Sequence, residues 1–196
     1  ECDGPIRPGW FYHPEEDDRV KSPEQLADLY YRSVGHNATL LLNFPVDREG
    51  LIHPIDSANA VNFHKLIQRE LQHNLVAGMT PKVSNERGKA FAAKAMTDDS
   101  WDTYWATADG VTSATITFDF KKPQLMNRIM LQEYIPLGQR VKKFAVEYLD
   151  GKTWRSVEQG EETTTIGYKR LLRFRTVEAK SVRVRIIDSR GPICLN

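Results

Sequence analysis

Residues 38–44, Ala38-Thr39-Leu40-Leu41-Leu42-Asn43-Phe44, form an apolar run with no alternation. A strand with one wet face shows apolar and polar side chains in turn, so an uninterrupted run predicts a strand covered on both faces, as in a parallel sheet wrapped by helices. The flanking segments have the period such a sheet needs. Upstream, Ser22 caps, Pro23 suits the first helical position and Gln25 completes a capping box; Leu26, Leu29, Tyr30 and Val34 then recur at helical spacing as far as Gly35. Downstream, Pro45 ends the strand, Asp47-Arg48-Glu49-Gly50 turns, and a second helix is predicted from about Asp56 to Gln72, with Ala60, Phe63, Ile67 and Leu71 on one face. Helix, buried strand, loop and helix are the units of an α/β barrel.

Beyond Leu75 the period changes. AGMTPKVSN, residues 77–85, is rich in turn formers and marks a boundary near residue 77, giving domains over 1–76 and 77–196. Thr115-Ile116-Thr117-Phe118-Asp119-Phe120, Lys143 to Tyr148 and Val182 to Ile186 each alternate apolar and polar residues, and Asp150-Gly151 before Trp154 signals a tight hairpin. Short strands at regular spacing predict a β-sandwich. The fold class is therefore α/β followed by all-β, without internal repeats or low-complexity tracts.

Composition narrows the function. With 40% hydrophobic and 27% charged residues the chain is able to bury a core, and a formal charge of +1 gives no broad field to draw it to nucleic acid or an anionic membrane. No apolar run approaches the roughly 20 residues that span a bilayer. Cys2 and Cys194 lack the spacing of a zinc or redox site and read as free thiols. Near the start, Ile6, Trp10, Phe11 and Tyr12 are side chains that want burial or a ligand, and the last residues begin a fresh apolar run, Ile193-Cys194-Leu195. Both ends are expected to be cuts in something longer.

The stretch IRPGWFYHPEED followed by KSPEQLADLYYRSVGHNATLLLNFPVDREGLI resembles the end of the catalytic barrel of family 29 glycoside hydrolases, the α-L-fucosidases, over about residues 1–73. Downstream, DDSWDTYWAT, QEYIPLGQRVKKFAVEYLDGKTW and TTIGYKRLLRF resemble the galactose-binding-like, discoidin-type sandwich appended to bacterial members of that family. The resemblance implies the C-terminal units of an incomplete TIM-like barrel and a sandwich lacking the rest of its last strand. It further implies a secreted retaining exo-enzyme, extracellular or periplasmic, that removes α-1,3/4-linked L-fucose from fucosylated glycans with no catalytic cofactor. Its partner in that work would be the remainder of the barrel.

Glu1 takes the family's general acid/base position by that resemblance, and its nucleophilic Asp has no counterpart here. A retaining glycosidase needs the two carboxylates about 5–5.5 Å apart, so the chain alone is expected to be inactive. The plainer reading of Glu1 is a solvated carboxylate. Arg7 and Trp10 suit a sugar pocket, a guanidinium forking onto hydroxyls and an indole covering the apolar face of a pyranose. Otherwise Arg7 pairs with Asp3 or Glu16 and Trp10 belongs to the core. His13 reads as structural, Asn43 as a hydrogen-bonding partner of the next loop, and Glu15 to Asp18 as a solvated loop.

In the second half, Asp98, Ser100 and Thr103 match the positions where related sandwiches hold structural calcium, an ion that takes carboxylate, hydroxyl and carbonyl oxygens. Asp99 and Ser100 depart from the usual Gly-Asn there. Trp105 and Trp154 read as core fillers, Trp101 as the aromatic most free to meet sugar, and Lys142, Lys143, Arg170, Arg173 and Arg175 as a solvated face. A non-catalytic carbohydrate-binding module is the alternative to an enzyme fragment; adhesion to protein or lipid would need exposed aromatic or basic spikes that the sequence does not show.

Overall fold

The computed structural model describes residues 1–157 and 162–196. The chain divides into two compact units, Glu1–His73 and Asn74–Asn196.

In the first unit, β1 (Cys2–Pro5) and β2 (Leu40–Asn43) pair in parallel from Cys2↔Leu40 to Pro5↔Asn43, with α1 (Pro23–Ser33) between them. A parallel pair needs a crossover, and α1 supplies it. Its start is chemically specified: the Ser22 hydroxyl accepts from the Gln25 amide at 3.3 Å while Gln25 Oε1 accepts from the Ser22 amide at 2.9 Å. The helix stops at Ser33, a little before the expected Gly35, and the chain reverses through Asn37 at φ 72°. α2 (Pro54–Leu71) starts earlier than Asp56 because Pro54 takes the first helical position and the His53 ring accepts from the Ile55 amide. The helices meet through Tyr30 and Phe63, whose ring centroids lie 6.1 Å apart, and through Tyr31, whose hydroxyl donates to Glu70 at 2.8 Å.

One expectation for this unit fails. Leu40 and Leu42 are half-buried and Leu41 is 55% exposed, so β2 is not covered on both faces. Among the described residues its one strand neighbour is β1, and Leu41 stands open.

The second unit is all-β. A five-stranded antiparallel sheet has the order β3 (Lys82–Val83), β5 (Ala114–Leu131), β8 (Arg170–Ser189), β6 (Val141–Asp150), β7 (Thr153–Ser156). β4 (Trp105–Ala106) and β9 (Cys194–Leu195) form a second, two-stranded sheet. Alternation places Ile116, Phe120, Phe144, Val146, Val182, Val184 and Ile186 in one core with Trp105, which is 0% exposed. Gly151, at φ 61°, makes the expected hairpin between β6 and β7.

The strands are longer than their alternating segments suggest, 18 residues in β5 and 20 in β8. Pro123 would end a regular ladder because it has no N–H, but it falls where the β5–β8 register shifts between Asp119 and Gln124, and the irregularity carries the strand through. Two side chains differ from expectation. Trp154 is only half-buried, since β7 is the sheet edge, and it lies 4.2 Å from the Arg183 guanidinium on the outer face. Arg170 is buried rather than solvated and donates from Nη2 to the Glu162 carbonyl at 2.8 Å. Cys2 and Cys194 are both free, and burial raises the Cys194 thiol pKa. Among the described residues no helix is long and apolar enough to cross a membrane.

Candidate functional site

Parallel α/β units place ligands at the carboxyl ends of their strands. Here β1 runs on into Ile6 and Arg7, both fully buried, with the Ile6 amide donating to the Asn43 carbonyl at 3.0 Å. Arg7 donates from Nε and Nη2 to the two oxygens of Asp56 at 2.9 and 2.8 Å, and from Nη1 to Asp17 at 2.9 Å and the His13 carbonyl at 3.3 Å. Its guanidinium lies 4.6 Å from the centre of the Tyr12 ring. Asp56 is itself fully buried in the first turn of α2, where the helix dipole favours a negative charge. Burial works to lower the Arg7 pKa, but hydrogen bonds and charge from Asp56 and Asp17 outweigh it and raise the pKa above its ordinary value.

Arg7 is therefore corrected from sugar ligand to anchor, with Asp56 and Asp17 as its partners in place of Asp3 or Glu16. No part of its side chain reaches the surface. What it fixes is the loop 8–13 wrapped around it. Asn43 holds the same loop from the end of β2, donating from Nδ2 to the Trp10 carbonyl at 3.0 Å. Trp10 is 52% exposed and Phe11 more so, which places an aromatic surface at the carboxyl end of the strand pair rather than in a core.

Glu1 lies at the other end. The Cys2 amide donates to the Thr39 carbonyl at 2.8 Å, beside the start of β2, and Glu1 precedes it, exposed. At about 3.3 Å per residue, the strand alone puts roughly 13 Å between that end and the Trp10 loop. A proton donor has to stand within hydrogen-bond reach of the leaving oxygen. In this chain Glu1 is an exposed carboxylate at the start of β1, and its acid/base role rests on the resemblance alone.

The structure does bring Asp98, Ser100 and Thr103 together, but as a hydrogen-bonded turn. Asp98 Oδ1 accepts from the Ser100 amide at 3.0 Å, Oδ2 accepts from the Thr103 hydroxyl at 2.8 Å, and Ser100 Oγ accepts from the Asp102 amide at 3.2 Å. Asp99 turns the chain at φ 62°. Calcium needs six to eight oxygens, several of them charged. One carboxylate whose oxygens both already accept does not supply that shell, and among the described residues no three His, Cys, Asp or Glu side chains stand together as a metal group. These residues do not fit calcium.

Two features of the second unit escape the sequence. Trp101, 59% exposed, stacks on Tyr168, 52% exposed, with centroids 6.0 Å apart and planes 18° from parallel. Sequence separation hides that pair, although Trp101 by itself is legible. Glu133 is 3% exposed and accepts from the amides of Arg140, Val141 and Gly167 at 2.7, 2.9 and 2.7 Å. Its only signal is a lone acid before the Tyr134-Ile135-Pro136-Leu137-Gly138 turn.

Known proteins share this fold. The chain is 39% identical over 195 residues to a candidate alpha-L-fucosidase of Oryza sativa subsp. japonica, with 97% of the chain and 37% of that protein covered. It superposes with a TM-score of 0.93 and 42% identity on the crystal structure of a candidate alpha-L-fucosidase from Bacteroides thetaiotaomicron, covering 97% of this chain and 42% of that one. A Ruminococcus gnavus family 29 fucosidase in complex with fucose matches with a TM-score of 0.86 and 34% identity, covering 98% of this chain and 39% of that one. The chain thus spans about two fifths of the length of these relatives, its homologues are alpha-L-fucosidases, and residues 80–196 match the F5/8 type C domain. With its five-stranded sheet, short second sheet and single Trp105-centred core, the chain belongs to the F5/8 type C domain family.

Proposed function

We propose that this chain is the carboxyl-terminal portion of a retaining exo-α-L-fucosidase that removes terminal α-linked L-fucose, of the α-1,3/4 type, from glycans outside the cytoplasm. Residues 1–73 contribute the last βα units of a TIM-like barrel. The observation that carries this is the exposed Trp10 and Phe11 surface at the carboxyl end of the parallel strands, held by the buried Arg7–Asp56 pair, in a chain whose homologues are fucosidases. An indole face suits the apolar side of a fucose ring. The nucleophilic Asp comes from the rest of the barrel, about 5–5.5 Å from the acid/base as double displacement needs.

Hydrolysis of an aryl α-L-fucoside tests the reading. The chain alone should show no turnover, while the longer protein containing it turns over and its Trp10→Ala variant raises KM at least tenfold. Robust turnover by the chain alone, or an unchanged KM in the variant, defeats the proposal. The stacked, exposed Trp101–Tyr168 pair favours a second role for the other unit, sugar binding without catalysis. Titration with galactose and fucose followed by tryptophan fluorescence checks it, and no change at millimolar sugar leaves the sandwich as a scaffold.

A further inference from the structure

The second unit carries an open depression of about 630 Å³, lined by Arg87, Arg140 and Arg190 with Tyr104, Leu137 and Pro192. That volume lies in the range of small-ligand sites. The charge on its walls is unbalanced. Asp109 is the one carboxylate among the lining residues and pairs with Arg87, whose Nε also donates to the Thr107 carbonyl at 3.2 Å. Arg140 is held by neutral acceptors, donating from Nη1 to the Pro192 carbonyl at 2.9 Å and to Cys194 Sγ at 3.5 Å, and from Nε and Nη2 to the Leu137 carbonyl at 3.2 and 3.1 Å. Carbonyl acceptors orient a guanidinium without cancelling its charge. Glu133, close behind, is taken up by backbone amides. Arg190 is tied in only by its main chain, its amide donating to the Arg140 carbonyl at 2.9 Å, and its exposed guanidinium has no partner among the described residues.

Three guanidinium groups facing one carboxylate make a hollow for an anion, because the planar fork matches the paired oxygens of a carboxylate or sulfate. The hollow is not purely ionic: Leu137, 42% exposed, and Pro192 give it an apolar wall. An anionic group beside a C–H-rich ring satisfies both surfaces. We propose that this depression binds an acidic sugar, a pyranose bearing a carboxylate or a sulfate ester, with Arg190 as its principal unpaired contact. The proposal rests on the second unit alone and stands or falls separately from the fucosidase reading.

Calorimetric titration of the whole chain at low salt, with glucuronate, galactose 6-sulfate, galactose and sodium sulfate as four separate probes, tests it. At least one acidic sugar should bind tenfold or more tightly than both galactose and inorganic sulfate. Preference for glucuronate identifies a carboxylate ligand, and preference for the sulfated sugar an ester. Arg190→Glu should weaken that binding at least tenfold, and Arg190→Lys less, with an unchanged melting curve since the side chain is exposed and unpartnered. Equal binding of galactose, equal binding of sulfate alone, an Arg190→Glu variant that binds like the parent, or no heat from any probe at about 10 mM overturns the proposal.

Discussion

The two units solve the problem of a stable interior in opposite ways. In Asn74–Asn196, apolar side chains from β5, β6 and β8 close around Trp105, Phe144 and Ile186; among the buried polar groups Glu133 accepts from backbone amides and Glu147 pairs with Arg183 and Arg185 at the margin of that core. In Glu1–His73 the buried hydrophobic residues are Ile6, Leu26, Ala27 and Tyr31, while the best-enclosed contact is an ion pair, Arg7 with Asp56. Leu41, Val46, Leu51, Ile52 and Val61 of the same unit are exposed. Apolar burial is the dominant favourable term in folding, whereas a buried ion pair roughly balances attraction against lost hydration. One unit therefore carries its own source of stability; the other is organised around a contact that specifies geometry.

Separating them should give the largest effect. Residues 74–196 expressed alone are expected to unfold in a single cooperative thermal transition. Residues 1–73 alone should show none, and should bind a dye that reports exposed apolar surface. A cooperative melt from residues 1–73 would break the contrast, because it would mean that four buried hydrophobic residues and an ion pair suffice.

The next effect is smaller and sharper. Trp105→Ala removes the largest fully buried side chain of the sandwich, along with the bond from its indole Nε1 to the Asn85 carbonyl at 3.1 Å, and should cost about 3–5 kcal/mol. Arg7→Ala should cost a similar amount, about 3–5 kcal/mol, for a different reason: it strands the Asp56 carboxylate without a cation. The double variants distinguish the two. Arg7→Met with Asp56→Leu removes both charges and should recover most of the loss in denaturant melts of the whole chain. No change of the Asn85 carbonyl's surroundings should rescue Trp105→Ala. Failure of the double variant to recover stability would show that the ion pair contributes more than geometry.

The same contrast explains what was legible in the sequence. Period-2 segments such as Thr115 to Phe120 identify the sandwich because alternation reports burial directly, and the Ser22–Gln25 capping box is local enough to read residue by residue. Arg7 is different. Its partners are 10 and 49 residues away, and in sequence it looks the same whether it meets a sugar or a carboxylate. Glu1 is harder to read because a motif gives order along the chain, whereas catalysis depends on which end of a strand a residue occupies. The Asp98 turn misled for a related reason: oxygen-bearing residues within one loop satisfy each other as readily as they would a cation. Trp154 became an outer-face residue because hydrophobic type was read without the edge position that the β6–β7 hairpin gives it.

The smallest predicted effect concerns how the sandwich holds its shortest edge. β3 joins the sheet through Lys82↔Thr117 and Val83↔Ile116, continued by Ser84 and Thr115, whose amides donate to the Thr115 carbonyl and the Ser84 hydroxyl; on so short an edge a side-chain fastener matters. Asp119 provides it, accepting from Lys82 Nζ at 2.7 Å and from the Ser181 hydroxyl at 2.6 Å. Those hydrogen bonds, to Lys82 first and then Ser181, with the nearby positive charge, hold the Asp119 pKa below its usual carboxylate value. A carboxyl whose folded pKa is depressed stabilises above its unfolded pKa, near 3.9, and loses that contribution as pH falls through the folded value. The Asp119 side chain is 42% exposed, so solvent screening keeps the effect to about 0.2–1 kcal/mol. Asp119→Asn should accordingly melt slightly below the parent at pH 7, and the gap should narrow progressively as the pH falls below the unfolded carboxyl range, about 3.9. A gap that persists undiminished in acid would mean that the Ser181 hydrogen bond, which an amide oxygen still accepts, was never the issue and that the asparagine disturbs the β5–β8 register itself.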